Sequence, residues 1–244
     1  MLARVLAVLA AAVLAALLAG SPQAATPSTK APAEPSGTYE YDIIQETYGK
    51  IGTHTARFAR AGDDLVVTTR IRIDVRLLFV TIYRFESDGR EVWRDGRLVR
   101  FETTTNDNGA KATVKAWAMG DKFVIERPDG RLTTNDRIYT THAWNRALVG
   151  SPVLLEPTSG KLYMVGFADG GDVKLAGSPA RTYAIAGEIE GRLWYAPDGT
   201  WLRMDLVKHG GIVSVTLTSA PARKGVAVAR RPGAPTAGAT ASGT

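Results

Sequence analysis

The chain has no cysteine, only three histidines (His54, His142 and His209), and no second long apolar run after the first twenty residues. Without cysteine there is no disulfide framework, no thiol nucleophile and no thiolate zinc site. The histidines stand far apart, in no His-Glu-x-x-His pattern. No Gly-rich loop precedes a helix, which excludes a P-loop or a dinucleotide-binding turn. The Gly-Ser-Pro triplets at 150–152 and 177–179 are turns, not a Gly-x-Ser-x-Gly elbow. Helical periodicity is almost missing as well: only 141–149 (THAWNRALV) reads as helix, for barely two turns. These absences predict no metal, no cofactor and no catalytic residue.

Two terminal stretches have their own character. Met1 to Arg4 give a positive start, Val5 to Leu18 an unbroken apolar run, and Gly20 to Ala25 a helix-breaking, small-residue exit. That order is the layout of a secretory signal peptide over 1–25. The run is shorter than the roughly 20 residues that span a bilayer, so no membrane span is expected after cleavage. The mature chain is expected to begin between about residues 22 and 27 and to work in the periplasm or as a secreted protein. Residues 26–37 and 221–244, rich in Pro, Ala, Gly, Ser and Thr, read as disordered linker and tail. The formal charge of +6 resides mostly there, because 38–220 carries 24 basic against 23 acidic residues. With no basic stripe in the core, nucleic acid is not an expected partner.

Between these stretches the pattern has a period of two. Val67, Thr69, Ile71, Ile73 and Val75 alternate with Thr68, Arg70, Arg72, Asp74 and Arg76, so a strand buries the first set and exposes the second. Asp88-Gly89, Asp95-Gly96, Asn108-Gly109, Asp129-Gly130, Asp169-Gly170 and Asp198-Gly199 read as hairpin turns. The fold class expected for 38–220 is all-β: one antiparallel curved sheet of about ten to twelve strands with one short helix. One short helix cannot cover that apolar face, so the sheet curls into a barrel or an unclosed half-barrel, with a two-sheet sandwich as the alternative.

A resemblance accompanies this pattern. Tyr39-Glu40-Tyr41-Asp42-Ile43, Gly49-Lys50-Ile51-Gly52, the strand ending Asp74-Val75-Arg76, and Phe79 to Phe85 follow one another in order. Glu91 to Leu98, Thr141 to Asn145, Pro179 to Tyr183 and Leu193 to Gly199 continue the series. The ordered set resembles a family of exported bacterial β-domains of unknown function, distantly similar to the LolA and LolB lipoprotein-carrier fold. The resemblance implies an unclosed barrel around an apolar cavity and a role in holding lipid-like groups.

The aromatics Phe79, Tyr83, Trp93, Phe101, Trp117, Trp144, Trp194 and Trp201 could line such a cavity, and the first six of these are the candidate ligand-binding residues. His142 and Asn145 join them, on the one non-strand segment with polar and aromatic content. Phe101 and Trp117 are expected to report ligand binding best. His54 is expected on an outer face and His209 in a turn. Three functions stay open: a non-enzymatic binding or scaffold protein holding a lipid or other apolar group, a hydrolase or lyase acting near His142, and a module docking an envelope protein through its sheet edges. An open apolar cavity favours the first, a polar cleft at His142 the second, and a filled barrel the third.

Overall fold

The computed structural model describes residues 34–134, 137–208 and 211–221. The expected signal peptide, most of the expected linker, the expected tail beyond Pro221, and His209 lie outside the described residues.

The alternating pattern produces long antiparallel strands: β1 (Gly37–Gln45), β2 (Gly49–Ala61), β3 (Asp64–Leu77), β4 (Val80–Arg94), β5 (Arg97–Asp107) and β6 (Ala110–Met119). Shorter ones follow at β7 (Lys122–Arg127), β8 (Gly130–Thr134), β9 (Tyr139–Thr140) and β10 (Val153–Leu155). The last five are β11 (Leu162–Leu175), β12 (Ser178–Gly187), β13 (Gly191–Tyr195), β14 (Trp201–Lys208) and β15 (Gly211–Ser219). All fifteen belong to one sheet, ordered β8-β7-β6-β5-β4-β3-β2-β1-β15-β14-β13-β12-β11-β10-β9. Every pair is antiparallel except β9 with β10. The fold is the expected all-β curved sheet, and the larger strand count comes mainly from the short β8, β9 and β10.

The order of the sheet shows that it curls. Its two edge strands, β8 and β9, are consecutive in the chain, and five residues from Thr134 to Tyr139 reach at most about 18 Å. The edges therefore face each other across a seam that the chain itself bridges. Both are short, which limits what an edge can offer a docking strand.

One residue in two along each strand faces inward. Tyr39, Tyr41 and Ile43, then Leu65 and Val67, then Leu193 and Tyr195 are buried in one continuous core. In β3, Val67, Thr69 and Val75 are buried and Ile71 and Ile73 pack partly buried against the core. Arg72 is not a free surface residue: its guanidinium donates to the Ile71 and Ser87 carbonyls at 2.8 and 3.1 Å and to Asp88. The interior is filled by backbone as well as by side chains. Ile138, Tyr139, Thr140, His142, Ala143, Leu148, Val153, Leu154 and Leu155 are all buried, so 138–155 runs through the concave side. Its only helix is a 3-10 turn at Arg146–Gly150, capped by the Asn145 side chain, which accepts from the Ala147 N–H at 3.1 Å.

Two of the six turn dipeptides are not turns. Asp88-Gly89 lies within β4, and Asp169-Gly170 lies at an irregularity within β11. At Gly89 the glycine serves close approach: a Cβ there would stand 2.5 Å from Thr69 Oγ1, on a face shared with His142. Gly89→Ala is expected to cost about 1–3 kcal/mol through overpacking. A urea midpoint equal to the parent's would show that this part of the interior yields freely.

Candidate functional site

The inward face of β4 carries Glu91, with no solvent exposure at all. A buried carboxylate is tolerable only when fully hydrogen-bonded. Thr140 Oγ1 and His142 Nδ1 meet its Oε1 at 2.8 and 2.7 Å. The indole N–H groups of Trp93 and Trp144 donate to its Oε2 at 2.7 and 2.9 Å. Burial alone would push the Glu91 carboxyl up. The hydrogen bond and charge of His142, with the two indole bonds, outweigh burial and hold it below its ordinary value. Glu91 and Trp93 are two residues apart on one strand, while the other three donors come from 140–144. The ionised carboxylate thus ties the segment crossing the interior to β4 and fixes two indole rings.

Beside this cluster lies a second one. His54 faces inward from β2, with its ring 5.8 Å from that of His142, 5.6 Å from Trp201 and 5.4 Å from Tyr41. This corrects the outer-face expectation, and the parity is visible in the strand, since His54, Ala56 and Phe58 are all buried. Burial, helped by the charge of His142, lowers the His54 pKa to about 3. Its Nε2 has no hydrogen-bond partner among the described residues. Tyr41 stacks on Trp201 with ring centroids 4.3 Å apart.

Above both clusters opens a cleft of about 400 Å³. Its wall is aromatic: Tyr39, Tyr41, Phe58, Trp93, Trp144 and Trp201. Trp144 meets Trp93 and Phe58 edge to face, with centroids 5.2 Å apart in each case. Its mouth carries the carboxylates of Glu34, Asp63, Asp95 and Asp198 against the guanidiniums of Arg60 and Arg146. The buried Trp201 indole nitrogen has no hydrogen-bond partner among the described residues, a donor left unspent beside the cleft. A smaller cavity of about 180 Å³, lined by Leu148, Ile185, Leu193, Met204 and Leu206 among others, lies under β12 to β14.

The sequence-predicted residues divide among these places. Trp93, Trp144 and Asn145 line the large cleft, and His142 lies beneath it on Glu91. Phe101 is packed in the core, so an Asp there would unfold the protein rather than report a ligand. Trp117 is half-buried, beneath the Arg131 guanidinium at 5.7 Å and away from the cleft. Tyr83 is half-buried on the β3–β4 hairpin and Phe79 is fully exposed at its tip. Trp201, one of the aromatics expected to line a cavity, stands in the cleft wall, whereas Glu91, Tyr39, Tyr41 and Phe58 were missed. The available signal was a carboxylate sharing Trp93's strand face.

Comparison with protein families places residues 41–218 in a domain of unknown function, DUF6134. The chain belongs to the DUF6134 family. A crystal structure of a beta-barrel-like protein of the domain of unknown function DUF1849 from Brucella abortus is similar to this DUF6134 domain in fold. The TM-score is 0.55 at 12% identity, over 74% of this chain and 94% of that one. Curated proteins gave no significant match. These findings carry the barrel-like part of the sequence resemblance and leave the LolA and LolB part an expectation.

Proposed function

We propose that this DUF6134 domain is a non-enzymatic binding protein, exported from the cytoplasm, whose ligand is a small apolar molecule bearing a positive charge. The observation that supports it most is the aromatic cleft of about 400 Å³ whose walls Trp93 and Trp144 are locked by a buried, ionised Glu91. Rigid aromatic walls with few polar groups are the usual lining of small-molecule pockets, and ring faces attract organic cations. Four carboxylates against two guanidiniums at the mouth favour the same charge. The lipid-like group of the sequence reading becomes a narrower class. Export is supported by the order of residues 1–25.

A hydrolase or lyase near His142 has less support. His142 is 6% exposed and Glu91 0%, and both carboxylate oxygens are already occupied by protein donors.

Tryptophan emission titrated with benzyltrimethylammonium, benzyl alcohol and phenylacetate tests the proposal. The cation is expected to bind best, by about 5- to 30-fold over the neutral probe, as a desolvated cation–π contact implies. Asp63→Asn with Asp95→Asn should shrink that preference while leaving the fold intact, since Asn tolerates the positive φ of 49° at Asp95. A response to none of the probes, or an equal response to the anion, sinks the proposal.

A further inference from the structure

The two ends of the curled sheet differ chemically. Register places Gly191, Leu206, Val213, Gln45 and Gly49 in line along one rim. The cleft mouth is at the other rim, among the turns that hold Asp63, Asp95 and Asp198. Eleven large apolar side chains are exposed among the described residues, and all but Met119 lie at the first rim. They include Ile44 and Tyr48 beside the β1–β2 turn, and Val207 and Ile212, which pair across β14 and β15.

The remaining apolar side chains concentrate on one protrusion. β2 pairs with β3 only as far as Ile73, and β5 pairs with β4 only from Phe85 onward. Residues 75–83 are thus a two-stranded ribbon with no third strand hydrogen-bonded to its backbone on either side, the β5 side resuming where Asn108 N–H donates to the Arg84 carbonyl at 2.8 Å. At its tip Leu77, Leu78, Phe79 and Val80 are 58, 87, 100 and 64% exposed. The turn is Leu78-Phe79, with Leu78 held at φ 55°. A bulky side chain is unfavourable in that region, and at the same first turn position, at φ 49° and 50°, the fold elsewhere places Asp95 and Asn108. Turn chemistry has been given up here for exposed apolar surface. Directly behind the tip stands Arg76, exposed and with no acidic partner among the described residues, and further back Arg84 is paired to Asp74 at 3.1 Å.

We infer that this hairpin inserts its tip into the interfacial layer of a lipid bilayer with anionic headgroups. Apolar tip followed by cationic shoulder is the order of acyl chains and phosphates along a membrane normal. The hairpin's cross-strand hydrogen bonds satisfy only the backbone groups that face across it, so insertion stops in the interfacial layer, where water and headgroups satisfy the outward-facing ones. A convex wedge one hairpin wide, with Ile44, Tyr48, Val207 and Ile212 exposed at the same rim, fits a fluid layer. The ligand cleft then faces away from the membrane, toward solution. Among the described residues no helix is long and apolar enough to cross a membrane.

The absence of cysteine makes the test clean, because one introduced thiol takes an environment-sensitive fluorophore at a single site. The full chain carrying Phe79→Cys, and separately Met119→Cys at the opposite rim, is mixed with vesicles of equal parts phosphatidylethanolamine and phosphatidylglycerol. Expected is a blue-shifted emission at position 79, with quenching by doxyl-labelled lipid about twofold or more above that at 119, as interfacial burial requires. Leu78→Asn with Phe79→Gly installs the turn chemistry used elsewhere in the fold, so folding should be preserved. Vesicle-dependent protection of a label moved to Val80→Cys in that background should weaken about tenfold. Residues 5–18 are common to every variant, and the local label separates the hairpin from them. A position-79 label that stays water-like with vesicles overturns the inference. So does a blue shift that grows with protein concentration in their absence, which would identify a second copy as the occupant. Neither outcome bears on the cleft, which the organic-cation titration reads independently.

Discussion

Glu91→Leu is expected to abolish the native fold, and Glu91→Gln to cost about 2–4 kcal/mol of unfolding free energy. Hydrogen bonds to a charged group contribute roughly 1.5–3 kcal/mol each, and a buried donor without an acceptor loses its full solvation. Leucine leaves four such donors on Trp93, Thr140, His142 and Trp144 facing hydrocarbon. Glutamine has one acceptor oxygen, and its orientation is dictated. Indole N–H groups only donate, so the oxygen must face Trp93 and Trp144 and the amide N–H must face Thr140 and His142. A hydroxyl can accept, and His142 can do so in its other tautomer, which brings the cost below that of breaking a buried ion pair outright, about 3–5 kcal/mol. Urea unfolding of the two variants checks the order. Equal, small effects would mean that Glu91 does not organise the interior. The near-ultraviolet dichroism of the glutamine variant should stay close to the parent's, because Trp93 and Trp144 keep their acceptor.

That cluster marks the boundary of what the sequence reveals. Strand β3 was legible because five alternating residues have one solvent and one core face, a local property. Asp95-Gly96 and Asn108-Gly109 were legible as turns because both their residues take positive φ. Asp88-Gly89 has the same letters for another reason, the approach of Thr69 to a backbone without a Cβ. Only the neighbouring strand decides between the two. His54 was misplaced because Thr53 and Thr55 make its strand segment look polar, although its parity with Phe58 pointed inward. The site was half legible: Trp93, Trp144, His142 and Asn145 were named, on separate grounds. Their junction, Glu91, is 51 residues from His142, and its partners become apparent only when 138–155 is seen to fill the sheet. A strand count carries no information on whether backbone enters the barrel.

Acid should weaken this protein well before its surface carboxylates titrate, and His54 is the reason. Its folded pKa is lowered from 6.5 to about 3, by burial first and by the charge of His142 second. In the unfolded chain His54 takes up a proton as pH falls through its ordinary value; in the folded chain it stays neutral. Across that window the unfolded state binds more protons, so stability rises with pH and falls with acid, at about 1.4 kcal/mol per pH unit for one group. Between pH 6.5 and 4.5 the loss attributable to His54 is about 2 kcal/mol, because the unfolded imidazole is only half protonated at the start of that window. Glu91 adds to it lower down. Its folded pKa is depressed, so its contribution is present above the ordinary carboxylate value and disappears as pH falls through the folded one. His54→Leu separates the two. Leucine is of similar size and gives up no Nε2 hydrogen bond, since none is made among the described residues. The variant should be nearly level in stability from pH 6.5 to 4.5 and still fail below, where Glu91 titrates. Chemical denaturation at half-unit pH steps reads both slopes. A parent protein as stable at pH 4.5 as at 6.5 would show that His54 opens to water and takes its proton without unfolding.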